Sequence, residues 1–204
     1  MRRARKERRF KLKYAVLGEG ITEQWYLSHL KKYKGYIYNI RPSLFADVSI
    51  EKAEGIIDEL LSGGCDQITF LTDYDSIVNQ GKKDVFDKIV DKYKDIEEVL
   101  ICDSMPSIEY WFLLHFKYTT KEYLNCEQVI KDLKTHISDY SKKEVYLKQD
   151  KWFKRLIAND GLNKAIRNAN NGLKQYEKGN VGDHFPFSKI HEALNAFENH
   201  IKKK

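Results

Sequence analysis

Short apolar runs alternate with longer segments of helical period over the first half of the chain. Tyr14-Ala15-Val16-Leu17 predicts a buried strand ending at Gly18. Thr22 to Lys34 predicts a helix whose inward stripe is Trp25, Leu27 and Leu30. Tyr36 to Ile40 reads as a second strand, stopped by Pro42. Ser49 to Leu61 reads as a helix with Ser49 as N-cap and Ile56, Ile57, Leu60 and Leu61 facing inward, and Gly63-Gly64 ends it. Asp66 to Thr72 is the third strand. Asp84 to Tyr93 is a helix carrying Val85, Ile89 and Val90, and Val99 to Cys102 is the fourth strand. Strand and helix in strict alternation predict an α/β fold, with a mostly parallel four-stranded sheet and helices on both faces.

The pattern changes after Cys102. Ser107 to Phe116 is dense in apolar and aromatic residues and reads as a buried helix. Glu127 to Ile137, Lys151 to Ile157, Gly161 to Tyr176 and Phe187 to Ile201 read helical, with breaks at Asn159-Asp160-Gly161 and Gly179-Asn180. The chain therefore divides into an arm (1–13), an α/β core (14–116) and a helical extension (117–204). The Lys202-Lys203-Lys204 end reads as a solvated terminus.

Hydrophobic residues are 42% of the 204, enough for a core, and the formal net charge is +6. That charge suits a polyanionic partner. It is concentrated in the arm, where Arg2, Arg3, Arg5, Arg8 and Arg9 read either as a solvated tail or as sequence-blind phosphate contacts. The thirteen tyrosines suit packing or base stacking equally well. Cys65, Cys102 and Cys126 are odd in number and lack a CxxC spacing, which points to reduced thiols in a cytoplasmic protein rather than a disulfide framework. No apolar run approaches membrane-spanning length, and no apolar h-region follows the basic start, so a membrane or secreted protein is not expected.

Candidate chemistry lies just past the strand ends. In a parallel sheet, residues beyond the carboxyl ends of neighbouring strands share one crevice. Gly18-Glu19-Gly20-Ile21-Thr22-Glu23 follows the first strand and Asp73-Tyr74-Asp75 the third. Carboxylates gathered in one crevice repel unless a cation lies between them, which points to a Mg²⁺ (or Mn²⁺) site and phosphate-ester chemistry. Glu19 can bind metal or accept a proton from water. Glu23 can join it, or simply complement the helix N-terminus together with Thr22. Asp73 and Asp75 can share an ion, while an Asx-turn explains one of them. After the fourth strand, Glu109 is a charge inside an apolar helix and needs a partner, a second cation being one candidate. Ser107 is a hydroxyl ligand or an N-cap. His115 reads as a hydrogen-bonded core histidine.

In this order, Gly-Glu-Gly-x-Thr-Glu, Asp-x-Asp and Ser-x-Pro-Ser-x-Glu-Tyr-Trp-Phe-Leu-Leu-His-Phe resemble the RloB family, whose fold is of the Toprim, Rossmann-like group. Tyr146-Leu147-Lys148, the Ala165 to Ala169 helix and Phe185-Pro186-Phe187-Ser188-Lys189-Ile190-His191 extend the likeness over about residues 12 to 200. Met105 stands where the family usually has Asn before proline, and Phe185-Pro186 where members often have Asn-Pro. The resemblance implies that Glu19, Asp73 and Asp75 hold Mg²⁺ for phosphodiester cleavage, and that Ser107 and Glu109 help hold a second ion. It also implies a nuclease encoded beside an ABC- or AAA-type ATPase in restriction, phage-defence or abortive-infection loci. In that setting Lys148 either neutralises the scissile phosphate or is an ordinary surface lysine.

Two other functions fit parts of the pattern. A haloacid-dehalogenase-like phosphohydrolase also uses strand-Asp-x-Asp, with the first Asp as nucleophile. Its motif belongs on the first strand, however, and it leaves Glu19 without a role. A non-catalytic module binding nucleic acid or an ATPase through the arm and helices is the other. The sequence leaves the choice of DNA or RNA and the oligomeric state open.

Overall fold

A computed structural model of the chain describes residues 13–18, 20–36, 39–40, 48–179, 181–182 and 184–201. Among these, β1 (Tyr14–Gly18), α1 (Ile21–Lys34), β2 (Asn39–Ile40), α2 (Ile50–Ser62) and β3 (Gln67–Asp73) follow the predicted order. Next come α3 (Tyr74–Asn79), α4 (Lys83–Tyr93), β4 (Val99–Met105) and α5 (Ile108–Leu114). The remainder holds α6 (Cys126–Leu133), α7 (Glu144–Leu147), α8 (Lys151–Ile157), α9 (Gly161–Glu177), β5 (Phe187–Ser188) and α10 (Ile190–Ile201). The arm before Lys13, Pro42, Asn180 and the final three lysines lie outside the described residues.

The sheet order is β2-β1-β3-β4-β5. The first four strands are parallel, with Leu17 opposite Phe70 and Thr72 opposite Asp103. The expectation of an α/β fold with a mostly parallel four-stranded sheet needs one correction: a fifth, antiparallel strand makes the sheet mixed. β5 adds antiparallel to β4, pairing Ser104 with Ser188 and Met105 with Phe187. A two-residue strand embedded in what reads as the start of a helix has no period of its own to reveal it. Tertiary contacts hold it in place. Lys189 Nζ lies 2.7 Å from Asp103 Oδ1, the Lys189 N–H donates to the Asp103 carbonyl, and the Ser104 and Ser188 hydroxyls are 2.8 Å apart.

Alternation along the strands sends side chains to two cores. Leu17, Ile68 and Phe70 pack with Ala53 and Ile57 of α2 and Phe86 and Ile89 of α4 on one face. Tyr14, Val16 and Leu71 face the other side, which α1, α5 and α10 cover. That second core also takes in Tyr140, Trp152 and Leu194, so the helices after residue 116 share a core with the sheet. Its centre is aromatic. The Phe112 ring lies 5.2 Å from both Tyr26 and Trp152, and Trp111 Nε1–H donates to the Tyr26 hydroxyl at 2.7 Å. Among the described residues seven tyrosines are buried in the two cores, six of them here, which assigns those seven to packing.

Two breaks have clear backbone causes. Gly35 ends α1 in the left-handed region at φ 69°, where a β-carbon is costly. Asn159 and Asp160 both take left-handed conformations between α8 and α9, a role that short polar side chains tolerate. Ser49 stands at the N-cap position of α2 with an extended backbone, but makes no side-chain cap hydrogen bond.

Phe112→Ala removes the ring at the centre of the aromatic core. It is expected to cost about 3–5 kcal/mol, read as a lower urea midpoint with an unchanged slope.

Candidate functional site

The predicted site maps to the carboxyl edge of the sheet, where β3 and β4 end side by side with Asp73 opposite Ser104. Asp73 is the last residue of β3, half-buried, with its carboxyl turned inward. Its Oδ1 accepts the backbone N–H of Ile108 at 2.9 Å, so a carboxylate from one strand caps the helix that follows its neighbour. Asp75 falls in the first turn of α3, and its N–H donates to the Pro106 carbonyl at 3.3 Å. The sequence weighs a shared ion against an Asx-turn here and assigns no helix; the structure makes the segment a short helix starting immediately after β3.

Glu23 is buried in the first turn of α1. A β-carbon at Gly20 would run into its carboxylate, so glycine there allows Glu23 to fold back over the strand-to-helix turn. Glu19 and the five arginines Arg2, Arg3, Arg5, Arg8 and Arg9 lie outside the described residues. Gly18, just before Glu19, is opposite Leu71, two residues short of Asp73.

Glu109 is fully buried, in the first turn of α5. The Ser107 hydroxyl donates to its Oε2 at 2.7 Å and the Tyr140 hydroxyl to its Oε1 at 3.1 Å. The Lys142 ammonium stands 3.1 Å from Oε1. Ser107 occupies the N-cap position of α5, yet its hydroxyl serves Glu109 rather than the helix backbone. The partner that a buried charge demands is therefore supplied by Lys142 and Tyr140. Neither was singled out from sequence, and both come from the segment between α6 and α7.

The electrostatics show which charges act on one another. Burial pushes the Asp73 carboxyl well above its ordinary range, and the negative charges of Glu23 and Glu109 push it further, while Lys142 and the Ile108 N–H pull the other way. Asp75 is also raised by burial and by Glu109, against the Ser76 backbone N–H and Lys142. Burial acts to lower Lys142, but Glu109, Cys126 and Asp73 outweigh it and the net shift is upward. The Cys126 sulfur is 4.0 Å from the Lys142 nitrogen, and burial raises its thiol above the ordinary value.

Lys148 is placed elsewhere. It caps the end of α7 on the surface, 3.0 Å from Glu144 Oε1 and 5.8 Å from the centre of the Trp25 ring. His115 is the core histidine expected. It is buried with Nδ1 donating to the Trp111 carbonyl, and burial pushes its pKa down to about 4.

The structure thus brings Glu23, Asp73, Asp75 and Glu109 into one electrostatic neighbourhood, with Lys142 as the cation among them. Hard oxygen donors in excess over positive charge suit Mg²⁺ or Mn²⁺. Among the described residues no three His, Cys, Asp or Glu side chains close tightly enough to enclose an ion by themselves. Mg²⁺ does not require that, because it keeps several waters and binds through one or two carboxylates. On the repulsion around Asp73, the donor set fits such an ion.

The family model described as RloB-like protein matches residues 14–196, so the chain belongs to that family. No curated protein and no solved structure matches it. Among the described residues no helix is long and apolar enough to cross a membrane.

The raised Asp73 has a thermodynamic consequence. In the ion-free fold Asp73 holds its proton at pH values where an unfolded aspartate, near 3.9, has lost it. The resulting stability is fully present below the unfolded value and is lost as pH rises through the raised folded value. Asp73→Asn removes the buried charge and is expected to raise the melting temperature at pH 7.5 in EDTA. A gain of about 1 kcal/mol corresponds to roughly 2–4 °C at this length. The gap to wild type is expected to narrow as pH falls, as followed by calorimetry.

Proposed function

We propose that this RloB-like chain is a Mg²⁺-dependent nuclease of the Toprim type, hydrolysing phosphodiester bonds in DNA or RNA. We further propose that it is the effector of a phage-defence pair whose other half is an ABC- or AAA-type ATPase. The observation that carries the enzymatic reading is the position of Asp73. It lies at the carboxyl edge of the parallel strands, where burial, and after it the charges of Glu23 and Glu109, hold its carboxyl above the ordinary range. Such crowding is unfavourable in the bare protein and favourable around a cation. The partner ATPase and the polymeric substrate rest on the family likeness and on the net charge of +6.

Asp73 and Glu23 would hold the ion, joined by Asp75 and by Glu19. When bound, the ion supplies an activated water and stabilises charge on the phosphoryl group. The chain's own groups set the conditions for that step. Asp73 is fixed by the Ile108 N–H, which restricts its rotation. Glu23 is buried and seated against Gly20. Lys142 puts one positive charge near Glu109, Asp73 and Asp75, where it limits their repulsion and can face a phosphate. Glu19 is the proposed ligand or general base. The arginines of the arm would track the phosphate backbone without reading sequence.

The test is cleavage of plasmid and of total tRNA by the purified chain with Mg²⁺ or Mn²⁺. Asp73→Asn and Glu23→Gln are each expected to lower cleavage by at least about 10²-fold with unchanged circular dichroism, and EDTA to abolish it. Undiminished cleavage by a folded Asp73→Asn protein would contradict the proposal. A phospho-aspartate trapped at Asp73 would instead favour the phosphohydrolase.

A further inference from the structure

Glu109 is the one carboxylate of the site whose balance is complete within the chain. It is fully buried, and its two oxygens receive the Ser107 hydroxyl, the Tyr140 hydroxyl and the Lys142 ammonium at 2.7, 3.1 and 3.1 Å. A carboxylate has about four lone-pair positions, so most of its capacity is taken. A divalent ion bound to Glu109 would sit about 2.0–2.1 Å from its oxygen, against an ammonium already in contact with that group.

The position of Lys142 is built in. Two residues earlier, Tyr140 is buried in the aromatic core, with its ring 6.1 Å from Phe112 and 6.3 Å from Trp152. The same tyrosine donates to Glu109, so the core anchors the segment that delivers the lysine. Asp73 differs. Its recorded hydrogen bond is to one backbone N–H, and Glu23 and Glu109 both raise it.

We infer that Lys142 is a tethered cation standing where a second divalent ion would otherwise neutralise Glu109. The acidic site then takes one divalent ion, on the Asp73 and Glu23 side, and Glu109 with Ser107 holds the lysine rather than a metal. The inference rests on the cation-site reading above and deepens it by assigning the ion count and the role of Lys142. Lys142 is in this sense a positioning residue and counter-charge.

Mn²⁺ is titrated into the ion-free full-length chain, with heat and the electron spin resonance signal of free Mn²⁺ both followed. The expected result is one ion per wild-type chain. Asp73→Asn is expected to weaken binding by at least about tenfold. Glu109→Gln is expected to keep one ion, with a smaller loss of affinity than Asp73→Asn. Lys142→Met is expected to admit a second ion, a result Lys142→Arg would not show. If a Glu109 or Lys142 variant fails to fold by circular dichroism, the wild-type count decides. Two ions per wild-type chain, or a loss in folded Glu109→Gln as large as in Asp73→Asn, would overturn the inference alone. No ion bound to the folded wild type would overturn the cation-site reading and the inference with it.

Discussion

The organising constraint is negative charge held partly out of water at the carboxyl edge of the parallel strands. Glu109 is fully buried, Glu23 is nearly so, and the Asp73 carboxyl is turned inward from the end of β3. Burying a charge without compensation is expensive, and removing one partner of a buried pair commonly costs about 3–5 kcal/mol. Several local features answer that demand. Ser107, Tyr140 and Lys142 serve Glu109, the start of α5 serves Asp73, and Gly20 gives the Glu23 carboxylate room. The aromatic core underneath stabilises the arrangement by fixing Tyr140 and α5 against α1 and α8.

This explains why the segment after residue 116 belongs with the sheet rather than beside it. It adds β5 to the sheet edge and α10 to one face, and it contributes Trp152 to the shared core. It also supplies the only two groups outside the β4–α5 stretch that contact Glu109 among the described residues, Tyr140 and Lys142. Fold and site are therefore coupled through the same residues. An acidic site resting on charge repulsion is unfavourable until a cation arrives, and an extensive aromatic core is one way to sustain it.

Much of this was legible in the residues. Ile68-Thr69-Phe70-Leu71 is a short, largely apolar run with an acid two residues on, and the structure buries it as a parallel strand. Asp73 could be picked out as a carboxylate just past such a run, Glu23 by its place in the first turn of the helix after Glu19, and Glu109 as a charge inside an apolar helix. Other features were not visible. β5 is two residues long and depends on the contacts of Asp103 with Lys189. Lys142 lies in a stretch where lysines are frequent, so spacing offered nothing to prefer it over Lys148. Three-dimensional packing of Tyr140 decides between them. Helix α3 was hidden because Asp-Tyr-Asp satisfies turn chemistry as well as a helix start.

Paramagnetic broadening of backbone amide signals by trace Mn²⁺ in the nitrogen-15-labelled chain tests the central claim most directly, because it locates the cation without relying on activity. The account predicts that the amides of Ile108, Asp75 and the start of α1 broaden first, and that those around Glu144 and Lys148 stay sharp. Sharp signals at Ile108 and Asp75 while other acidic surfaces broaden would contradict it.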